Sequence, residues 1–159
     1  MPWLREGIPD MSDSHQFCTF YLGEHMFGID VSHVQEVIRY QRTTRVPLAP
    51  PVVEGLINLR GQIVTAIDLR RRLGLPERPK NLSSMNVIVK GTDGLTSLLV
   101  DRVGDVLDLA LESLEPAPET LRGIVRELST GVYSLQEKLL LILDVEKVLG
   151  HECAVNTGN

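Results

Sequence analysis

Aromatic residues make up only 4 % of this 159-residue chain, against 43 % hydrophobic residues in all, so its core must be built from Val, Leu and Ile. β-Branched side chains favour strands, and the scarcity of aromatics removes the stacking platform that single-stranded nucleic acid needs. Basic charge is short as well: 16 Lys and Arg face 21 Asp and Glu, and a net charge of −5 argues against a surface built to neutralise phosphates. No run approaches the ~20 apolar residues of a membrane span. Residues 1–14 carry Arg5, Glu6, Asp10 and Asp13 without the apolar run of a signal peptide and read as a flexible lead-in, with Met11 an alternative start. Cys18 and Cys153 lie near opposite ends without metal-ligand spacing, and free thiols in a reducing cytoplasm fit them better than a disulfide.

Reaction chemistry is equally sparse. The histidines are His15, His25, His33 and His151, and no pair has the spacing of a helical metal site. There is no G-x-S-x-G and no Walker loop; Gly91-Thr-Asp-Gly94 reads as a hairpin turn, because no helix follows to present amides to a phosphate. Asp68 and Asp144 each precede a short amphipathic turn, where helix capping accounts for a carboxylate better than catalysis does. Arg70, Arg71 and Arg72 are consecutive and so point in three directions, which reads as a solvated face. No catalytic residue, metal ligand or cofactor is expected, and the chain does not read as an enzyme.

What the sequence does have is a repeat. Gly55-Leu-Ile-Asn-Leu-Arg-Gly-Gln-Ile-Val-Thr-Ala-Ile-Asp68 aligns without a gap on Gly131-Val-Tyr-Ser-Leu-Gln-Glu-Lys-Leu-Leu-Leu-Ile-Leu-Asp144, at an offset of 76 (144 − 68) that continues to Gly74 and Gly150. Upstream, Val31-Ser-His-Val-Gln-Glu-Val37 echoes Val100-Asp-Arg-Val-Gly-Asp-Val106 at an offset of 69 (100 − 31), so the second copy is longer by about one turn of chain between the two blocks. Two copies are too few for a solenoid and imply two similar subdomains.

Each copy reads as short strands separated by turns. Phe17–Leu22 and Met26–Val31 are strands around Gly23, and Ser32-His-Val-Gln35 has the form of a capping box, predicting a short helix through about Tyr40 with Val34, Val37 and Ile38 on one face. Residues 43–51 read as extended, since Pro47, Pro50 and Pro51 forbid a helix interior. Gly55–Leu59 and Gln62–Ile67 form a hairpin around Arg60 and Gly61, followed by Asp68 capping Leu69–Leu73, with Gly74 ending that turn. The second half predicts strands at Asn86–Lys90 and Thr96–Val103, a connector at Leu114–Pro118, a hairpin over Val132–Leu143 and a cap at Asp144. The fold class is mainly β: many short strands with only short helices mean small antiparallel barrels, and the two halves should share strands or dock tightly, because neither has room for much core alone. The copies differ at the hairpin tip, Asn58-Leu-Arg-Gly61 against Ser134-Leu-Gln-Glu137, and Glu36 is the acid available to Arg60.

These residues carry a family resemblance. F-G-I-D-V over residues 27–31, V-Q-E-V over 34–37, G-L-I-N-L-R-G over 55–61 and I-V-x-x-I-D-L-R over 63–70 resemble the CheW family of bacterial chemotaxis coupling proteins. V-D-R-V-G-D-V over 100–106, P-A-P over 116–118 and L-I-L-D-V-E-K-V-L over 141–149 continue the likeness, which spans roughly residues 15–150. It implies two intertwined five-stranded SH3-like β-barrel subdomains with a few short helices, the first over about 15–80 plus the C-terminal helix, the second over about 81–143, with 151–159 as a tail. It also implies a non-enzymatic cytoplasmic adaptor, monomeric when free, that joins the CheA histidine kinase to the cytoplasmic tip of methyl-accepting chemoreceptors in membrane-associated arrays. Carried over by position, Val34, Glu36, Arg60, Val87 and Val106 belong to a receptor-binding groove, with Asn86 standing where an apolar groove residue is expected. Gly55, Asn58, Leu59 and Gly61 belong near the kinase-binding surface. Alternatives are a coupling module of a larger protein with a receiver domain, an adaptor of a non-flagellar pathway, and a small-barrel nucleic-acid-binding protein, which charge and aromatic content disfavour.

Overall fold

The computed structural model describes residues 14–150. Ten strands run in chain order: β1 (Ser14–Leu22), β2 (His25–Asp30), β3 (Val34–Arg39), β4 (Val53–Leu59), β5 (Gln62–Asp68), β6 (Met85–Gly91), β7 (Gly94–Val100), β8 (Arg102–Ala110), β9 (Ser129–Leu135) and β10 (Lys138–Leu143). Three short helices accompany them: α1 (Leu69–Arg72), α2 (Ile124–Leu128) and α3 (Val145–Val148). The strands form two five-stranded sheets, β8-β1-β2-β10-β9 and β3-β6-β7-β5-β4.

The two copies trade strands. Each sheet takes two strands from one copy (β1–β2 or β6–β7) and three from the other (β8–β10 or β3–β5). A cut near residue 80 therefore divides the sequence but not the sheets. Equivalent residues pair equivalently: Val34 faces Val89 across β3 and β6, and Val103 faces Phe20 across β8 and β1. The parallel contacts match too, Leu141 with Phe27 and Thr65 with Thr96. Extra length in the second copy is accounted for by α2, which has no counterpart before β4.

Alternation of side chains on each strand generates three apolar clusters. One lies between the sheets and draws on both, with Phe20, Phe27, Ile67, Val87, Val89, Leu98 and Val148 among its members. The other two fill the sheets' remaining faces: Phe17, Met26, Tyr133, Leu140 and Ile142 in the first, and Ile57, Leu59, Val64, Ala66 and Ile88 in the second. Ile38 of edge strand β3 packs against the cluster that holds Ile57 and Leu59 of the opposite edge strand β4, so the sheet curls its two edges toward each other. That curl is the SH3-like barrel.

Local signals place most turns as expected. Arg60 and Gly61 both have positive φ (52° and 89°), the two-residue hairpin geometry that matches strand twist. Asp68 caps α1 by accepting from the amides of Arg70 and Arg71, and Asp144 caps α3 by accepting from that of Lys147. Four expectations need correction. Residues 34–39 are strand, not helix: only Val31–His33 make a 3-10 turn, capped by Asp30, and burial then alternates along β3 so that Val34, Glu36 and Ile38 turn inward. Residues 43–51 are non-helical but turned, with Leu48 at φ 63° and Thr44 bridging Leu56. The stretch Thr96–Val103 breaks at Asp101, where the chain leaves one sheet for the other. Finally, the arginine triplet points three ways as expected but is not a solvated face. Arg70 and Arg72 are buried, Arg70 against Asp101, while Arg72 donates to the carbonyls of Lys147 and Val148 at the C-terminus of α3.

Candidate binding surfaces

Glu36 projects from β3 and Arg60 from the β4–β5 hairpin tip, and their side chains form an ion pair across the meeting edges of one barrel. Arg60 is two-thirds exposed and Glu36 about one quarter (66 % and 26 %), so the pair sits at the surface with the carboxylate as its anchored member. The hydrogen bond that Arg60 donates to the Glu36 carboxylate holds the guanidinium charge more firmly than usual. Asn58 sets the tip by accepting from the Gly61 amide at 2.7 Å. Glu36 is thus the acid that Arg60 meets, as expected, although it stands on a strand and not on a helix.

The other candidate residues separate by burial. Val34 is half-buried at the start of β3 and packs on the intersheet core. Val87 is fully buried in that core, so its side chain shapes the surface from beneath and cannot be touched by a partner. Val106 is 56 % exposed but lies on β8, in the other sheet from Glu36 and Arg60. Asn86 is buried with its amide donating to Ser97 Oγ at 2.7 Å, so it borders no groove.

Of the hairpin residues, Asn58 and Gly61 are exposed whereas Gly55 and Leu59 are buried. Gly55 has a structural reason to lack a side chain: a Cβ there would sit 2.5 Å from the Thr44 carbonyl oxygen. Its repeat mate Gly131 meets Glu115 O at 2.6 Å in the same way. Two exposed apolar residues beside this hairpin escaped the sequence reading: Ile63 (62 % exposed) and Leu48, fully in solvent at the crest of the proline-rich turn. Strand alternation could have found Ile63, since Val64 and Ala66 face inward. Its repeat mate Leu139 is exposed as well.

Among the described residues, no group of three or more His, Cys, Asp and Glu could hold a metal ion, and no helix is long and apolar enough to cross a membrane. Cys18 is buried and unpaired, burial pushing its thiol up, while Cys153 lies outside the described residues.

Paired SH3-like barrels presenting a hairpin tip, an oriented ion pair and isolated apolar side chains define a protein-binding module. The model of the CheW-like domain matches residues 16–153, and the chain belongs to the CheW family of chemotaxis scaffold proteins. It is 35 % identical over 137 residues to the chemotaxis protein CheW of Klebsiella aerogenes, covering 86 % of this chain and 82 % of that protein. With the CheW of Treponema pallidum it shares 32 % identity over 142 residues, again covering 86 % and 82 %. Among solved structures, the scaffolding protein TtCheW from Thermoanaerobacter tengcongensis superposes with a TM-score of 0.77 at 31 % identity, covering 89 % of this chain and 94 % of that one.

Proposed function

We propose that this protein is a non-enzymatic coupling adaptor that binds the cytoplasmic tip of methyl-accepting chemoreceptors and the regulatory domain of the CheA histidine kinase, and so recruits the kinase to membrane-associated arrays. The observation that carries this reading is the Glu36–Arg60 ion pair, held at the surface between β3 and the β4–β5 hairpin. An exposed pair adds little to stability. Its position beside half-buried Val34 gives it another use: the apolar side chain takes the contact and the two charges fix the register of an incoming helix. Val106 extends the receptor-facing surface on the second barrel, and Val87 supports it from the core. Asn58 and Gly61 at the hairpin tip, with exposed Ile63 next to them, form the kinase-facing surface, while buried Gly55 and Leu59 hold that hairpin in shape. Signal transmission is then a coupling between two binding sites rather than a reaction.

Calorimetric titration with a receptor-tip fragment and with a CheA regulatory domain tests this. Saturable one-to-one binding to both is expected. Arg60→Glu, in a chain whose circular dichroism and melting are unchanged, weakens receptor binding by about tenfold or more and leaves kinase binding intact. Undiminished receptor affinity in that folded variant would sink the assignment of Arg60, and binding to neither partner would sink the adaptor reading.

A further inference from the structure

Among the described residues Asp93, in the turn between β6 and β7, is the one aspartate that glycine follows. Thr92, Asp93 and Gly94 are all exposed, and among the described residues the Asp93 side chain has no hydrogen-bond or ion-pair partner. Gly94 has φ 115°, and a Cβ placed on it would meet nothing within 4 Å. The other described aspartates lack one or both of these freedoms. Asp30, Asp68, Asp101 and Asp144 engage their carboxylates with backbone amides or an arginine. Asp105 and Asp108 lie inside β8 and precede Val106 and Leu109, whose side chains crowd the following amide. Asparagines are crowded in the same way, since Asn58, Asn81 and Asn86 precede Leu59, Leu82 and Val87.

An aspartate carboxyl can reach the amide nitrogen of the next residue and close a five-membered ring on it. A side chain on that next residue obstructs the approach, and glycine has none. We propose that Asp93 is a site of spontaneous backbone modification. The Gly94 nitrogen gives up its proton and bonds to the side-chain carboxyl carbon of Asp93, while one carboxyl oxygen leaves as water; the product is a succinimide. Ring closure needs the Gly91–Gly94 rung to open, and the last rung of a hairpin is the first to fray. Water then adds to one imide carbonyl and breaks its bond to the Gly94 nitrogen. Opening at the side-chain carbonyl restores aspartate. Opening at the main-chain carbonyl leaves the chain running through the β-carboxyl, with the α-carboxylate free and the mass and charge of the protein unchanged.

The β-linked form puts one more carbon into a two-residue turn, so Gly91 and Gly94 lose their register. That rung lies hard against the C-terminal end of the fold. A Cβ on Gly91 would sit 2.6 Å from Leu149 Cδ1, and the Thr92 amide and hydroxyl both donate to Glu146 of α3. Modification therefore loosens the hold of the β6–β7 tip on α3. This chemistry is independent of the receptor and kinase assignments.

Peptide mapping of the full chain after weeks at neutral pH in heavy-oxygen water tests it. The peptide holding Asp93 is expected to take up one heavy oxygen atom, and part of it to lose cleavage by an endoproteinase that cuts before aspartate. Asp93→Asn reaches the same two products faster, by releasing ammonia in place of water, whereas Asp93→Glu, whose ring would be six-membered, takes up none. In the modified chain, amide exchange quickens at Thr92 and stays unchanged at Gly23 in the β1–β2 turn. Heavy oxygen that stays out of Asp93, or that enters the other aspartates as fast, would overturn the proposal. So would a β-linked product whose Thr92 amide exchanges no faster than in the fresh chain.

Discussion

Among the described residues three buried polar atoms are left without a protein partner, on Arg78, Asn86 and Tyr133, and the last two, inside the barrels, differ in meaning. Tyr133 is 2 % exposed, packed on Phe17 with ring centroids 5.6 Å apart, and its hydroxyl donates to nothing. The ring fills volume that its repeat mate Ile57 leaves smaller in the other barrel. The hydroxyl carries only a desolvation penalty, and the same burial raises its pKa. Tyr133→Phe keeps the ring and removes the penalty, so urea unfolding should show unchanged stability or a gain of up to about 1 kcal/mol. A loss of more than that would reveal a hydrogen bond to ordered water. Asn86 is the second case, its Oδ1 unpartnered where the other barrel has the Phe17 ring at the equivalent place. Its amide bond to Ser97 gives it a partial structural role that a lone phenol lacks.

At the scale of elements, what the sequence made legible is what depends on neighbours a few residues away. The Arg60–Gly61 turn and the Asp68 and Asp144 caps are of this kind, each with its cause inside the motif. The misread element is β3, where two local patterns compete. Val34, Val37 and Ile38 fit a helix face, while Val34, Glu36 and Ile38 fit a strand face, and pairing with β6, far along the chain (Val34 with Val89, Arg39 with Met85), decides for the strand. The strand exchange between sheets and the burial of Arg72 against Val148 have equally distant causes, so no window of sequence reports them. The two glycines that seat the proline-rich connectors are a middle case: the repeat marks them as equivalent, and the structure says why. Gly55→Ala and Gly131→Ala both press a Cβ into a backbone carbonyl that cannot swing aside. Each should cost about 1–3 kcal/mol of overpacking and break the adjacent bridge, Thr44 with Leu56 or Glu115 with Val132. Denaturant midpoints and amide exchange at those bridge residues measure both effects. Gly55→Ala should also weaken kinase binding indirectly, by moving the connector rather than by touching the partner.

Across the whole molecule, the two barrels are joined at two pseudo-equivalent corners of unequal strength. At one corner Asp101, where the chain crosses between sheets, accepts from Arg70 on α1, from Arg78 and from the Gly23 amide in the β1–β2 turn. Arg70 and Asp101 are nearly buried, with side chains 9 % and 10 % exposed. The other corner puts Glu146 where Arg70 stands and Thr92 where Gly23 stands; there an exposed Thr92 hydroxyl donates to the carboxylate at 3.0 Å, with no ion pair. The first corner therefore acts as the clamp and the second as the looser joint. Burial pushes the Asp101 carboxyl up, but its bonds to Arg70, the Gly23 amide and Arg78 outweigh this and hold it below the usual carboxylate range. A depressed folded-state pKa means the clamp contributes fully above the unfolded value of about 3.9 and is lost as pH falls through the folded value. Urea midpoints should therefore be insensitive to Asp101 ionisation near neutrality and fall steeply below about pH 4. Asp101→Asn should lose about 1–3 kcal/mol at pH 7, where the buried Arg70 is left without its counter-charge, and should flatten the acid limb of the profile. It should also speed amide exchange at Gly23 while leaving Thr92 at the other corner unchanged. Equal acceleration at both corners would mean that the barrels loosen as one body, and the clamp would then be no stronger than its counterpart.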